Sequence, residues 1–199
     1  LQMDPQGNSS TATKGRIAGF GGAPNMGCLA NGRRHSSYAW LKAGKEQNSH
    51  HPQAMPRGRK LVIQMVETFQ NAGVPTFVER LDAWDLQKEM HADLPPIMVY
   101  GDDISHVVTE EGIANLLLCK NLEEREQAIR GVAGYTPMGL KRDQAKVEDL
   151  RSRGVIQRPE DLQISLKEAD RDLLAAQSIH DLVEISQGLY CPPNKFRNW

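Results

Sequence analysis

Six glycines fall within residues 15–35, GRIAGFGGAPNMGCLANGRRH, and three basic side chains, Arg33, Arg34 and His35, close the run. A segment with so little Cβ bulk lets its backbone come close to a ligand, and the N–H groups of Gly21, Gly22 and Ala23 can converge on one oxygen. The chemistry such donors serve is stabilisation of negative charge growing on a carbonyl oxygen during acyl transfer. Phosphate-binding loops need either GxGxxG leading into a helix or GxxxxGK followed by Ser or Thr. Here GFGGAPN carries Pro24 and lacks the Lys-Ser/Thr pair, so nucleotide binding of those types is disfavoured. Arg33 and Arg34 offer planar forks suited to a carboxylate. On residue types alone, a tight turn and a surface basic pair account for the same residues.

Other polar groups read more simply as structure. In YGDDISH, Asp102, Asp103 and His106 have the types of an acid/base or metal set, yet Gly followed by Asp favours a tight reversal. His50 and His51 are adjacent in a polar stretch and lack metal-ligand spacing, so no metal is expected. RGRK at 57–60 reads as solvated surface. Cys28, Cys119 and Cys191 are odd in number and widely spaced, which reads as reduced thiols of a cytoplasmic protein, none of them catalytic.

The elements that must hold these groups follow from pattern. The chain has 199 residues, 39% of them hydrophobic, and 24 basic against 25 acidic side chains, so no global field draws it to nucleic acid or an anionic membrane. No apolar run approaches the roughly 18 residues that span a bilayer. RIAGF reads as a short strand running into the glycine loop, and 43–60 as a long exposed connection. Strands are expected at 60–69, 76–81, 95–101 and 105–109, the last two forming a hairpin. A helix is expected from Glu110 to Lys120, with Glu110 and Glu111 in its first turn. Asn121 with Glu124 opens a second helix, Asp143 caps a third that ends at Gly154, and Ser165 with Glu168 opens the last. In that last helix Leu173, Leu174, Ile179, Leu182, Val183 and Ile185 make an apolar stripe expected to be core. Strands first and helices after imply an α/β fold with helices packed on a sheet.

The segments GRIAGFGGAPNMGC, GRRH, PTFVERLDAW, PPIMVYGDD, VVTEEGIANLLLC, EREQAIRGVAGYTPMGL and PPNKFRNW together closely resemble the malonate decarboxylase alpha-subunit family, from end to end of the chain. The resemblance implies a coenzyme A transferase-like (NagB/RpiA-type) sheet flanked by helices, of which residues 1–199 form the C-terminal part, the N-terminal strands being absent. Within it, 1–42 would carry the glycine loop and basic cluster, 43–60 the exposed loop, and 61–199 the strands and then the helices. The implied activity is exchange of malonate for acetate on an acyl-carrier-protein thioester, with Gly21, Gly22 and Ala23 at the reacting carbonyl and Asn25, Arg33 and Arg34 binding substrate. Asn25 stands near the place of the family's usual Asp. The classical glutamate of coenzyme A transferases lies upstream of the glycine loop, and the chain alone is expected to be inactive. Implied partners are the acyl carrier protein, whose phosphopantetheine-type arm (or coenzyme A) is a substrate group, the other decarboxylase subunits, malonate and acetate. A citrate lyase alpha-type coenzyme A transferase and a non-catalytic docking piece of the decarboxylase are the other readings.

Overall fold

The computed structural model describes residues 1–17, 62–93, 95–188 and 190–196. They divide into two units, Leu1–Arg158 and Pro159–Trp199.

The first unit centres on a four-stranded mixed sheet. Strands β1 (Gln2–Met3), β2 (Ser9–Ser10), β3 (Ala12–Thr13) and β4 (Arg16–Ile17) precede it as two small antiparallel pairs, β1 with β2 and β3 with β4. The sheet itself contains β5 (Ile63–Met65), β8 (His106–Thr109), β9 (Gly112–Asn115) and β10 (Ile156–Gln157), in the order β10-β9-β8-β5. Between β5 and β8 the chain forms a two-stranded ladder of β6 (Phe69–Gln70) and β7 (Val74–Pro75), then helix α1 (Ala83–Glu89). β5 runs parallel to β8, whereas β9 is antiparallel to both its neighbours. In register, Gln64, Val107, Ala114 and Ile156 share one face, and all four are buried. Helices α2 (Leu122–Gly131) and α3 (Gln144–Ser152) supply Ala128, Ile129, Val147 and Leu150 to the same core. On the opposite face Ile63 and Met65 are exposed.

Local chemistry sets the helix ends. Asn121 accepts from the Glu124 backbone N–H at 2.9 Å, as its type and spacing predict. The Glu124 carboxylate bonds the backbone N–H of Lys120 at 2.8 Å, so the reciprocal half of the capping box falls one residue early. Asp143 accepts from Ala145 and Lys146, and Gly154 ends α3 at φ +71°.

Three expectations for this unit are corrected. Glu110–Lys120 is not a helix. Glu110 and Glu111 form the two-residue turn of the β8–β9 hairpin, Thr109 pairing with Gly112, and Leu116–Leu118 is a 3-10 turn. The spacing of Ile113, Leu116 and Leu117 suits a helix, but pairing of Ala114 with both Val107 and Ile156 overrides it. The hairpin expected between 95–101 and 105–109 does not form either. Residues 95–101 meet the rest of the sheet system at a bridge between Val99 and Ser9, and Gly101–Asp103 is a 3-10 turn. Of 76–81, only Phe77 makes a bridge, parallel to Met3.

The described residues of the second unit form two 3-10 turns, Pro159–Leu162 and Asn194–Phe196, and helices α4 (Leu166–Ala175) and α5 (Ile179–Ile185). Ser178 caps α5 in a reciprocal box with Asp181, which breaks the expected single helix at 176–178. The apolar stripe is therefore split, and Leu173, Leu174 and Ile185 are exposed where core was expected. None of the described residues of this unit is buried.

Candidate functional site

Gly21, Gly22, Ala23, Asn25, Arg33 and Arg34 all lie outside the described residues, as do His50, His51, Cys28 and 57–60. What the structure shows is how the two ends of that segment are anchored. On the upstream side, Gly15 turns the β3–β4 hairpin at φ +85°. The Lys14 backbone N–H donates to Asp82 at 3.0 Å, and its ammonium to Asp85 at 2.9 Å, both at the start of α1. Asp82 also accepts from the Gln2 amide at 3.1 Å and donates its own N–H to Gln2 Oε1 at 2.9 Å, so one residue ties β1 and the hairpin together. On the downstream side, the fully buried Ser105 holds Val62 in both directions: Val62 N–H donates to Ser105 Oγ at 2.9 Å and Ser105 Oγ–H donates to the Val62 carbonyl at 3.0 Å. His106 Nδ1 lies 3.0 Å from the same Oγ. Ser105 is thus engaged as an anchor, not poised as a nucleophile.

A second polar node sits deeper. Asp4 accepts from the N–H groups of Gln6 (3.1 Å) and Asn8 (2.9 Å) and from the Asn8 amide (3.0 Å), and Asn8 Oδ1 in turn accepts from Gly101 N–H at 2.9 Å. Burial raises the Asp4 carboxyl above its ordinary range despite those bonds. Gly101 lies so close to this turn that a Cβ there would stand 2.0 Å from the Gln6 carbonyl oxygen. Arg125, only 2% exposed, donates through Nη2 to the carbonyls of Gly101 and of Ile104, the latter at 3.1 Å. Its Nε and Nη1 have no hydrogen-bond partner, and burial pulls the guanidinium below its usual range. This node locks the Gly-Asp-Asp turn to α2 and confirms the turn reading of that motif. Asp4, Asn8 and Arg125 each bond at least one backbone group there.

The third node is the Arg130 guanidinium. It forks onto Glu79 at 2.8 and 2.9 Å, reaches Glu126 at 2.8 and 3.0 Å, and donates to the Met138 carbonyl at 2.9 Å. The Arg130 hydrogen bonds hold Glu79 below the ordinary glutamate range, with help from Lys141 at 3.3 Å. A carboxylate depressed in this way stabilises the fold above its unfolded pKa of about 4.3, and the contribution fades as pH falls through the lower folded value. Glu79→Gln is therefore expected to reduce stability at neutral pH and to flatten the acid limb below about pH 4.3. Denaturant melts of parent and variant from pH 7 down to 3 measure it, and parallel acid limbs would contradict the assignment.

Neither Arg125 nor Arg130 stands out as a functional residue in the sequence, although one signal is present. Arg125, Ala128, Ile129 and Val132 follow the i, i+3, i+4, i+7 spacing of an inward face, so an arginine stood on the buried stripe. A groove of about 190 Å³ between α2 and α3 is lined by Glu123, Glu124 and Asp149 against Lys146. Each of those carboxylates is already paired, Glu123 with Lys146 and the others with Arg153. Among the described residues no cluster of three or more His, Cys, Asp or Glu could hold a metal ion, and no helix is long and apolar enough to cross a membrane. Cys119 is a buried thiol and Cys191 an exposed one.

The matches to known proteins run along the whole sequence. Residues 1–199 match the family model described as malonate decarboxylase, alpha subunit, transporter. An acetyl-S-ACP:malonate ACP transferase of Malonomonas rubra is 56% identical over 201 residues, covering 100% of this chain and 36% of the relative. A chain of a Pseudomonas malonate decarboxylase hetero-tetramer, solved in complex with malonate, superposes with a TM-score of 0.72 at 54% identity, covering 100% of this chain and 36% of that one. The alpha subunit of an Acinetobacter baumannii malonate decarboxylase gives 0.72 at 52% identity, over 97% of this chain and 36% of that one. The chain thus spans about a third of the length of these relatives.

Proposed function

Since the chain belongs to the malonate decarboxylase alpha-subunit family, we propose that it contributes the glycine loop and substrate-binding arginines of an acyl-carrier-protein transferase. The reaction is malonate plus acetyl-S-carrier giving malonyl-S-carrier plus acetate. The observation that carries this reading is the 56% identity to a transferase of that name along the whole chain. We read the mixed sheet as coenzyme A transferase-like, with 1–42 carrying the loop and basic cluster, 43–60 an exposed connection and 61–199 the scaffold.

The chemistry asks little beyond orientation and charge stabilisation. One thioester is exchanged for another, so the step is nearly isoenergetic and needs no nucleotide. A carboxylate attacks the acetyl carbonyl, the oxygen takes up negative charge in a tetrahedral intermediate, and the carrier thiolate leaves to give an anhydride. The thiolate then attacks the malonyl carbonyl through a second tetrahedral oxyanion, and acetate departs. Those steps hold with malonate as the attacking carboxylate. Where an enzyme carboxylate attacks first, the thiolate displaces acetate at the enzyme carbonyl to form an enzyme thioester, and malonate attacks that thioester to form an anhydride. The released thiolate then takes the malonyl group and regenerates the enzyme carboxylate, so every oxyanion on either route needs such donors. Backbone N–H groups of Gly21, Gly22 and Ala23 supply them in this reading, and Asn25, Arg33 and Arg34 orient the carboxylates and the phosphopantetheine-type arm. The exchange is placed in the cytoplasm, with the carrier protein and the other decarboxylase subunits as partners.

The test is a single turnover of the full-length subunit with acetylated carrier protein and labelled malonate. Label on the carrier with stoichiometric release of acetate is expected, and no label with a verified acetyl carrier would overturn the reading. Replacing Arg33 or Arg34 with Lys keeps charge and loses the bidentate fork. At least one of the two variants is expected to raise the KM for malonate or for the carrier. Unchanged KM for both substrates in both variants would return the pair to the surface.

A further inference from the structure

Asp82 stands at the N-cap position of α1, yet its side chain does not cap that helix. A capping side chain reaches the first helical N–H groups from extended backbone, whereas Asp82 is already helical at φ −58° and ψ −26°. Its Oδ2 instead accepts from the Lys14 backbone N–H at 3.0 Å and from the Gln2 amide at 3.1 Å. Leu81 and Ala83, on either side, are fully buried and hold the Asp82 backbone in place. What Asp82 fixes is the tip of the β3–β4 hairpin, at the Lys14-Gly15 turn. The root is fixed separately: Ala12 N–H donates to Ser10 Oγ at 3.0 Å, and Ser10 Oγ–H donates to the Pro96 carbonyl at 2.6 Å. Among the described residues β4 pairs with β3 alone, so its direction follows from these two ties. Gly21 comes four residues after Ile17, where β4 ends.

We propose that Asp82 is a positioning residue of the transfer reaction, its carboxylate fixing the turn from which β4 leads the chain on to Gly21, Gly22 and Ala23. The inference rests on the transferase reading above and adds to it a residue outside the glycine segment. Backbone donors serve an oxyanion only when they are held within about 0.5 Å of the productive geometry. Each intervening residue adds two soft dihedrals, so a restraint at Lys14 passes more fully to Gly21 than to Arg33, sixteen residues after Ile17. Loss of the tie therefore acts on kcat more than on the KM for malonate. The Asp82 side chain is also separable from the helix behind it. It caps none of the helical N–H groups, and the bond from Asp82 N–H to Gln2 Oε1 survives its removal.

Asp82→Ala and Asp82→Asn in the full-length subunit test the assignment, with acetylated carrier protein and malonate as substrates. Asp82→Ala is expected to lower kcat about tenfold or more, with the KM for malonate and the melting temperature unchanged. Asp82→Asn keeps an accepting oxygen and should restore most of the lost rate. A second pair reaches the same bond from its other end. Lys14→Pro removes the donating N–H at a turn position that suits Pro, directly ahead of a glycine at φ +85°. Lys14→Ala loses the ammonium bond to Asp85 and keeps the N–H. Lys14→Pro should match Asp82→Ala, Lys14→Ala should match the parent, and the double variant Lys14→Pro, Asp82→Ala should be no slower than either change alone. Parent kcat in Asp82→Ala overturns the proposal, as does an equal fall in Asp82→Ala and Asp82→Asn, or the same kcat in both Lys14 variants. If Asp82→Ala melts below the parent, the Lys14 pair decides by the same criterion. A parent that transfers no malonyl group overturns the transferase reading itself, and the positioning role falls with it.

Discussion

Gly22→Val in the full-length subunit is expected to lower kcat for malonate transfer by roughly a hundredfold or more, with the fold intact. On the proposed reading, a branched Cβ at this position would occupy the space through which the backbone approaches the thioester oxygen. Losing one good oxyanion donor costs about 2.7 to 4 kcal/mol of barrier, which is a factor of about a hundred or more in rate. The effect should fall on kcat more than on KM, because the donors act on charge that develops only in the transition state. Steady-state kinetics with circular dichroism and a thermal melt of the same preparation decide it. If the variant folds normally and turns over malonate at the parent rate, the glycines are a corner and the oxyanion site must be sought elsewhere.

The largest stability effect is expected at Gly101→Ala. A methyl group there meets the Gln6 carbonyl oxygen at 2.0 Å, the Gln6 carbonyl carbon at 2.9 Å and the Gly7 carbonyl carbon at 3.2 Å, all backbone atoms. No rotamer relieves such a clash, so the Asp4–Asn8 turn and the Gly101–Asp103 turn must separate. Separation strains the Asn8 bond to Gly101 N–H and the Arg125 bonds to Gly101 and Ile104. Overpacking of this kind costs about 3 kcal/mol. Denaturant melts should show a lowered midpoint, while Gly154→Ala, with nothing within 4 Å of its Cβ, should show only the smaller cost of a positive φ. Equal midpoints for Gly101→Ala and the parent would mean that the two turns are not packed as described.

Elements governed by neighbouring residues were legible in the sequence. Asn121, Asp143 and Gly154 mark helix ends because each acts on backbone groups within four residues of itself. The sheet was legible only in part, since its pairing joins residues far apart. Nothing near Gly112 says that its φ of +147° and its closeness to the Gln157 carbonyl make room for β10 beside β9. A run such as Ile113-Ala-Asn-Leu-Leu-Leu-Cys satisfies helical spacing as well as it does a strand and a turn. At the candidate site, the glycines and arginines were visible from type and spacing, while the role proposed for them in acyl transfer rests on resemblance along the whole chain. The arginines that brace the scaffold were hidden for a different reason. An arginine on an apolar stripe becomes intelligible only when the carbonyls and carboxylates it meets are known, and those of Arg130 come from Glu79, 51 positions away, and from Met138.

Helices α4 and α5 carry a kinetic consequence. With no described residue of Pro159–Trp199 buried, their amides are protected only by hydrogen bonds within short helices, whose opening free energy lies near the bottom of the range that a folded protein spans. In hydrogen–deuterium exchange this unit by itself would label almost at once, long before the buried strands β8 and β9. Any slowing observed in α4 and α5 of the full-length subunit therefore measures burial acquired from outside the unit. Leu173 and Leu174, 62% and 89% exposed, mark the turns of α4 where that slowing should be greatest.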